Sequence, residues 1–280
     1  MGDADEPSVQ LVAPGIHFVE TPLVNWTVLS GDGTLTLIDA GYPGDVDRVA
    51  RVLDGIGGEL TTILVTHAHA DHIGAIRGLR ARRPTIAVLA SSEELPNVRR
   101  DVTHQVGARE LLPNLWRPSV LAWTARVIAA GGLADVAVPD PHVIETNRPQ
   151  RFSGQEVVPI AAPGHTPGHL VFWLPEHRVL VSGDAIVTGH PTSSLHGPHV
   201  LDRMFNHDHG LARASAREVL SGPVEVLLPG HGPMMRADAL VSSWSWLNIR
   251  SSTWGPCSDE VGCPVTIASP LTSTPCSGSQ

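Results

Sequence analysis

The sequence predicts an α/β fold, and three observations carry the prediction. Short apolar, β-branched runs alternate with segments of helical period from residue 15 onward. A strand–helix–strand step spans residues 34–65, and the second half repeats the sheet-and-helix theme after a helix-rich stretch.

Residues 15–20, 24–30 and 34–40 read as strands, the last two joined by Gly31-Asp32-Gly33, a hairpin signal. Val46, Val49, Ala50, Leu53 and Ile56 then recur at helical spacing, and 61–65 is an apolar strand running into a loop. A helix at 73–80 and a strand at 85–90 follow. Between about 91 and 148, Leu111, Leu112, Leu115, Trp116, Val120, Trp123, Val127 and Ile128 keep a helical period broken by Pro113 and Pro118, which predicts a mostly helical insert. In it, Trp116 and Trp123 are candidates either for core packing or for roofing an apolar acyl pocket. Strands resume at 156–162, 170–174 and 178–182, then a helix at 211–220, a strand at 224–228 and a helix at 237–247. Residues 1–250 form one domain on this reading. Residues 251–280, dominated by Ser, Thr, Pro, Gly and Cys, have the composition of a disordered tail.

Composition removes several function classes. All 19 cationic residues are Arg, so the chain has no Lys and cannot perform Schiff-base or pyridoxal-phosphate chemistry or build a Lys-dependent phosphate loop. A net charge of −9 disfavours a nucleic-acid partner, and the run Arg77, Arg80, Arg82, Arg83 reads as a solvated helix face. No stretch approaches the ~18 apolar residues of a membrane span. Residues 1–10 hold three acids and no basic leader, so a cytoplasmic location is expected. Cys257, Cys263 and Cys276 all lie in the tail, so a metal in the body of the chain must rest on imidazole and carboxylate.

Such a set exists. Thr66-His67-Ala68-His69-Ala70-Asp71-His72 follows the apolar strand at 61–65 and precedes a helix. On an extended segment His67 and His69 project to one side, while the turn into a helix points Asp71 and His72 at a second position, so one loop can serve two ions. Three further residues sit at apolar strand ends beside glycine: His165 in Pro163-Gly164-His165-Thr166-Pro167-Gly168-His169, Asp184 in Ser182-Gly183-Asp184, and His231 in Gly230-His231-Gly232. Glycine there lets backbone pass close to a ligand cluster.

With these motifs, and Asp39 in Leu37-Ile38-Asp39-Ala40-Gly41, residues 15–240 resemble the metallo-β-lactamase-fold hydrolases, most of all their glyoxalase II and lactonase branch. The resemblance implies an αββα sandwich of two mixed β-sheets flanked by helices. It implies one metal held by His67, His69 and His165, a second by Asp71, His72 and His231, and Asp184 bridging both, with Asp39 holding the ligand loop. The cofactors are then two divalent ions, with zinc favoured and iron or manganese open. Such ions can lower the pKa of bound water from about 15.7 to about 7, supplying a hydroxide that attacks an ester, thioester or lactone carbonyl of a small molecule. Asp71 and Asp184 are the candidate catalytic carboxylates. A mononuclear iron enzyme of the persulfide dioxygenase type, using the first position alone, is the alternative. Around the site, His169 is expected to support a ligand. Tyr42, the sole tyrosine, and some of His190, His196, His199, His207 and His209 are candidates for the substrate pocket, His196 and His199 foremost. The oligomeric state is left open.

Overall fold

The structure, a computed structural model, describes residues 6–239. Thirteen strands among them form two sheets. The first has seven strands in sequence order: β1 Ser8–Ala13, β2 Ile16–Glu20, β3 Trp26–Gly31, β4 Thr34–Ile38, β5 Glu59–Leu64, β6 Ala87–Ala90 and β7 His142–Val143. Pairing is antiparallel up to β4 and parallel from β4 to β7: helix α1 Val46–Ile56 makes the β4–β5 crossover, α2 Ala70–Ile73 and α3 Ile76–Arg82 the β5–β6 crossover, and the insert between β6 and β7 the last. The second sheet holds β8 Gln150–Phe152, β9 Gln155–Ala161, β10 Leu170–Leu174, β11 Val179–Gly183, β12 Val226–Pro229 and β13 Met235–Arg236, with β11 and β12 parallel across a crossover helix at His209–Leu220.

The side-chain period of two explains why these strands read as continuous apolar runs. Ile38 and Leu64 on the first sheet meet Phe172, Val181 and Leu228 on the second, forming the core between the sheets. Their neighbours Leu37 and Ile63 point the other way, onto Val49, Leu53, Ile73 and Ile76 of the helices. On the second sheet Val171, Leu180 and Leu227 likewise face Ala216 and Leu220 of the crossover helix. Each central strand is covered on both faces, which is the layering of an αββα sandwich.

Differences from the sequence reading have local causes. β1 was not expected: it is an edge strand whose Val9 and Leu11 face solvent, so burial does not impose alternation on it. The helix expected at 73–80 is split at Gly74, where a Cβ would fall 2.4 Å from Pro43 Cδ and from the Ala70 carbonyl oxygen. In the insert, α4 Leu95–Val98 and α5 Ala108–Leu111 are single turns, and only α6 Pro118–Ala129 is sustained, opening on Pro118 at its first position. The crossover helix at His209–Leu220 is α7. Arg77, Arg80, Arg82 and Arg83 pair with Asp135, Asp140, Asp47 and Asp54 across the surface. No helix among the described residues is long and apolar enough to cross a membrane. The tail at 251–280 and most of the helix expected at 237–247 lie outside the described residues.

Candidate metal centre

All seven predicted ligands sit just beyond the C-terminal ends of strands. His67, His69, Asp71 and His72 follow β5, His165 follows β9, Asp184 follows β11 and His231 follows β12. A rigid sheet therefore sets their spacing. Two groups of side chains could each hold an ion: His67, His69, His165 and Asp184, and beside them Asp71, His72 and His231.

Hydrogen bonds decide which nitrogen of each imidazole faces inward. His67 Nδ1 lies 3.0 Å from Thr66 Oγ1, whose own proton goes to Asp39 Oδ2 at 2.7 Å, so the ring donates and Nε2 is left with its lone pair. His165 Nδ1 lies 3.3 Å from Asn206 Oδ1 and His231 Nδ1 2.6 Å from the Leu23 carbonyl, which likewise frees each Nε2. His72 Nδ1 donates to Asp39 Oδ2 at 2.7 Å. His69 is reversed: Nε2 donates to the His104 carbonyl at 2.6 Å, and Nδ1 faces the cluster. Every imidazole in the set thus has its outer nitrogen held by an acceptor, the arrangement that orients metal-binding histidines.

The inner atoms fit an ion. His165 Nε2 stands 3.2 Å from His67 Nε2 and 3.1 Å from His69 Nδ1, and none of the three has a proton to share, so lone pairs confront one another. Donors about 2.0–2.1 Å from a tetrahedral zinc lie about 3.3 Å apart, close to these separations. Asp184 lies between the groups: Oδ2 is 3.4 Å from His165 Nε2 and 3.3 Å from His231 Nε2, while Oδ1 is 3.4 Å from His72 Nε2. Asp71 Oδ2 stands 3.4 Å from His231 Nε2. His72 Nε2 and Asp184 Oδ1 are buried without a hydrogen-bond partner among the described residues, as expected for atoms whose partner is a cation.

Electrostatics divides the histidines into two sets. Burial, reinforced by neighbouring imidazoles, lowers His69 to about 4 and His165 to about 3 and holds His67 well below its ordinary value. Burial also opposes charge on His231, yet Asp184 and Asp71 overcome it and push the group up to about 10, and His72 is raised by Asp184, Asp39 and Asp71. Without metal, the protons on His231 and His72 lie among carboxylates, in the donor group that could hold a cation.

Three supports hold the ligand loops. Asp39, at φ +62°, accepts from Thr66 N at 2.9 Å as well as from Thr66 Oγ1 and His72. His169 Nε2 accepts the Asp184 backbone N–H at 3.1 Å, and its ring stacks 4.9 Å from that of His67. Glu94 was not anticipated. It is 1% exposed and accepts from Ala68 N at 2.9 Å, Asn97 Nδ2 at 2.7 Å, Thr166 Oγ1 at 2.7 Å and Gly168 N at 3.0 Å, tying the His67–His72 loop to the His165 loop. A signal for it existed, since Glu94 also stands in the loop beyond an apolar strand, β6. Glycine is required beside the cluster: a Cβ on Gly230 would lie 2.3 Å from Asp184 Oδ1, and Gly183 adopts φ +48° against Thr66.

A cavity of about 300 Å³ opens onto Asp71, Asp184, His165 and His231. Tyr42 lines it, buried, beside Asp71; burial and the nearby carboxylates raise its pKa well above the usual value. Trp123 also lines it, whereas Trp116 is 80% exposed on the outer side of the insert. Two expectations need correction. His196 is exposed and lies outside this cavity, because the loop it sits on projects into solvent, and His199 is drawn into a bridge with Val187 while its Nδ1 bonds the Gly197 carbonyl. His190 takes the place expected of them, edge-on to His231 with centroids 5.0 Å apart.

Residues 20–231 match the family model for the metallo-beta-lactamase superfamily. The chain is 30% identical over 266 residues to a protein of Bacillus subtilis (strain 168) named probable metallo-hydrolase YflN, covering 86% of this chain and 92% of that one. It is 30% identical over 162 residues to a hydroxyacylglutathione hydrolase of Stenotrophomonas maltophilia (strain R551-3), covering 58% and 45%. Among solved structures, the BLEG-1 B3 metallo-beta-lactamase superposes with a TM-score of 0.57 at 23% identity over 81% of this chain and 96% of that one. TTHA1623 in a di-iron-bound form gives 0.54 at 24% over 80% and 95%. The layered sheets, the donor groups at their strand ends and these matches together establish that the chain belongs to the metallo-beta-lactamase superfamily and is a metal-dependent hydrolase.

Proposed function

We propose that the chain is a dinuclear hydrolase of a small ester, thioester or lactone, with zinc as its resident ion. The observation that carries this reading is the confrontation of three unprotonated imidazole nitrogens at 3.1–3.2 Å, joined through Asp184 to a second donor group with its own oriented histidines. His67, His69 and His165 would hold one ion, Asp71, His72 and His231 the other, and Asp184 both. The imidazole and carboxylate donors and their tetrahedral spacing favour zinc. When bound, such ions supply Lewis acidity toward a carbonyl and acidify water.

The chain's own groups do the rest. Asp71 is 14% exposed and borders the cavity. Burial works against its charge, but His72 and His231 hold its carboxyl well below the ordinary range, so it is ionised and placed to take a proton from water and pass it to the leaving group. His190, lowered to about 3 mainly by burial, is neutral at pH 7. Its Nδ1 accepts from Thr192 N at 3.3 Å, leaving Nε2–H as a donor on the cavity wall for the substrate carbonyl oxygen. The surface Arg run, already paired with aspartates, supports a small-molecule substrate over a nucleic acid.

Metal analysis after stripping and reloading tests the assignment. Two zinc ions per chain with thioester or lactone turnover are expected, and Asp184→Asn should lose the second ion and reduce turnover roughly a hundredfold or more. Full activity in Asp184→Asn would refute the bridging role. One iron per chain with oxygen consumption would instead indicate the persulfide dioxygenase type of chemistry.

A further inference from the structure

The site has two chambers of opposite character that meet at one ligand. On one side of His165 lies the 300 Å³ cavity, walled by Leu111, Leu115, Val127, Ile128, Leu133 and Phe205. Its apolar wall continues to the surface, where Ile128 is 52% and Leu133 80% exposed. On the other side lies a second cavity of about 270 Å³, lined by Thr103, His104, Glu110, Asn206 and His207. Gln105, Val106, His165 and Phe205 border both, so a molecule placed at the ligand cluster can occupy the two together. No Arg lines either chamber among the described residues, and the chain has no Lys. Arg100 reaches Gln105 Oε1 at 3.5 Å but borders neither space. The polar chamber instead contains a carboxylate, Glu110.

We propose that the substrate joins a plain apolar acyl chain, seated in the first chamber, to a polar leaving group without negative charge, seated in the second. This rests on the hydrolase reading above and specifies its substrate class. Water adds across the acyl bond: the carbonyl carbon gains the hydroxyl, the bond to sulfur or oxygen breaks, and the leaving group departs with a proton. At about 30 Å³ per chain atom, roughly the share of one liquid water, the apolar chamber holds an acyl chain of about eight to ten atoms. Leu, Val and Ile walls reward each added methylene with about a fourfold gain in binding. An anionic leaving group such as glutathione would put carboxylates beside Glu110 with no Arg among the described residues lining the chamber to receive them.

Thioesters of N-acetylcysteamine (neutral), cysteamine (cationic) and glutathione (anionic) test this on the zinc-loaded protein. Within the N-acetylcysteamine series, kcat/KM should rise roughly fourfold per methylene from acetyl to hexanoyl. Octanoyl-N-acetylcysteamine and octanoyl-cysteamine should exceed octanoyl-glutathione tenfold or more, and Glu110→Gln, which keeps an acceptor for the Gly107 N–H, should at least halve that gap. A flat chain-length series, or preference for the glutathione thioester, would overturn the proposal. If no thioester is cleaved, the thioester form of the hydrolase reading fails, esters and lactones remaining as its substrates, and binding decides the chambers separately. Octanamide should quench Trp123 fluorescence saturably where acetamide does not, with Trp123→Phe as the control, and equal responses to the two amides would overturn the apolar chamber.

Discussion

Glu94 offers the sharpest test of how the ligand loops are held, because its removal touches no ligand. Its two oxygens accept four hydrogen bonds in a site with 1% exposure, and an ionised carboxylate is the form that can accept all four. Glu94→Gln keeps the shape but replaces one oxygen by an NH2 group. In one orientation that group faces the Gly168 N–H, in the other the Ala68 N–H, so a buried backbone donor is left unsatisfied either way, at about 1–3 kcal/mol. Glu94→Ala abandons all four donors and should cost about 3–5 kcal/mol. Urea unfolding of the chelator-treated protein measures this: with m of about 3 kcal/mol/M, the midpoint for Gln should fall by about 0.3–1 M at unchanged m. Because the carboxylate joins the loops carrying His67, His69 and His165, zinc affinity should fall about 10- to 100-fold as well. A Glu94→Gln protein with the wild-type midpoint and wild-type zinc affinity would refute the account of Glu94 as the brace between the loops.

Two further outcomes follow from the geometry and charge of the centre. Gly230→Ala places a Cβ 2.3 Å from Asp184 Oδ1 and 2.8 Å from His72 Cε1, so the Asp184 carboxylate must swing away; zinc per chain should drop while the circular dichroism stays native, and retention of both ions at unchanged affinity would contradict the packing argument. For the metal-stripped protein, thermal stability should be greatest near pH 6.5 and fall on both sides. Below that pH the unfolded chain binds protons that folded His67, His69 and His165 refuse, and for His69 alone the shift from 6.5 to about 4 corresponds to roughly 3 kcal/mol lost as pH falls through that window. Above it, His231 holds a proton in the folded state that the unfolded chain releases, so its contribution is complete below 6.5 and is lost as pH rises through about 10. Zinc should abolish the alkaline limb by replacing that proton, and a melting temperature constant between pH 4 and 6.5 in the stripped protein would show that the imidazoles are not buried as described.

The parts of this protein that could be read in advance are those with a local period or a local donor cluster. Leu170–Leu174 and, in the strand Val179–Gly183, its first three residues are apolar at consecutive positions because both faces are covered, and α1 carries its apolar stripe at helical spacing. Strand β1 and the single-turn helices of the insert lacked such a signal: the first is half solvated, and Pro96, Pro113 and Pro118 interrupt the second.

The sequence alone determined the chemistry available to the chain. It contains no amine for covalent catalysis and no thiol outside the tail, and it places imidazoles and carboxylates at the ends of apolar strands, where backbone spacing and glycine leave room for an ion. Tertiary structure decided what no spacing records. Asn206 and the Leu23 and His104 carbonyls turn the rings of His165, His231 and His69; Glu94 clamps two loops from a third; and His190, not His196 or His199, reaches the cavity. The physical reason is that ring orientation and pocket shape depend on partners supplied by other strands and loops, some about 200 residues away in the chain, and become definite only when the two sheets close on their shared core.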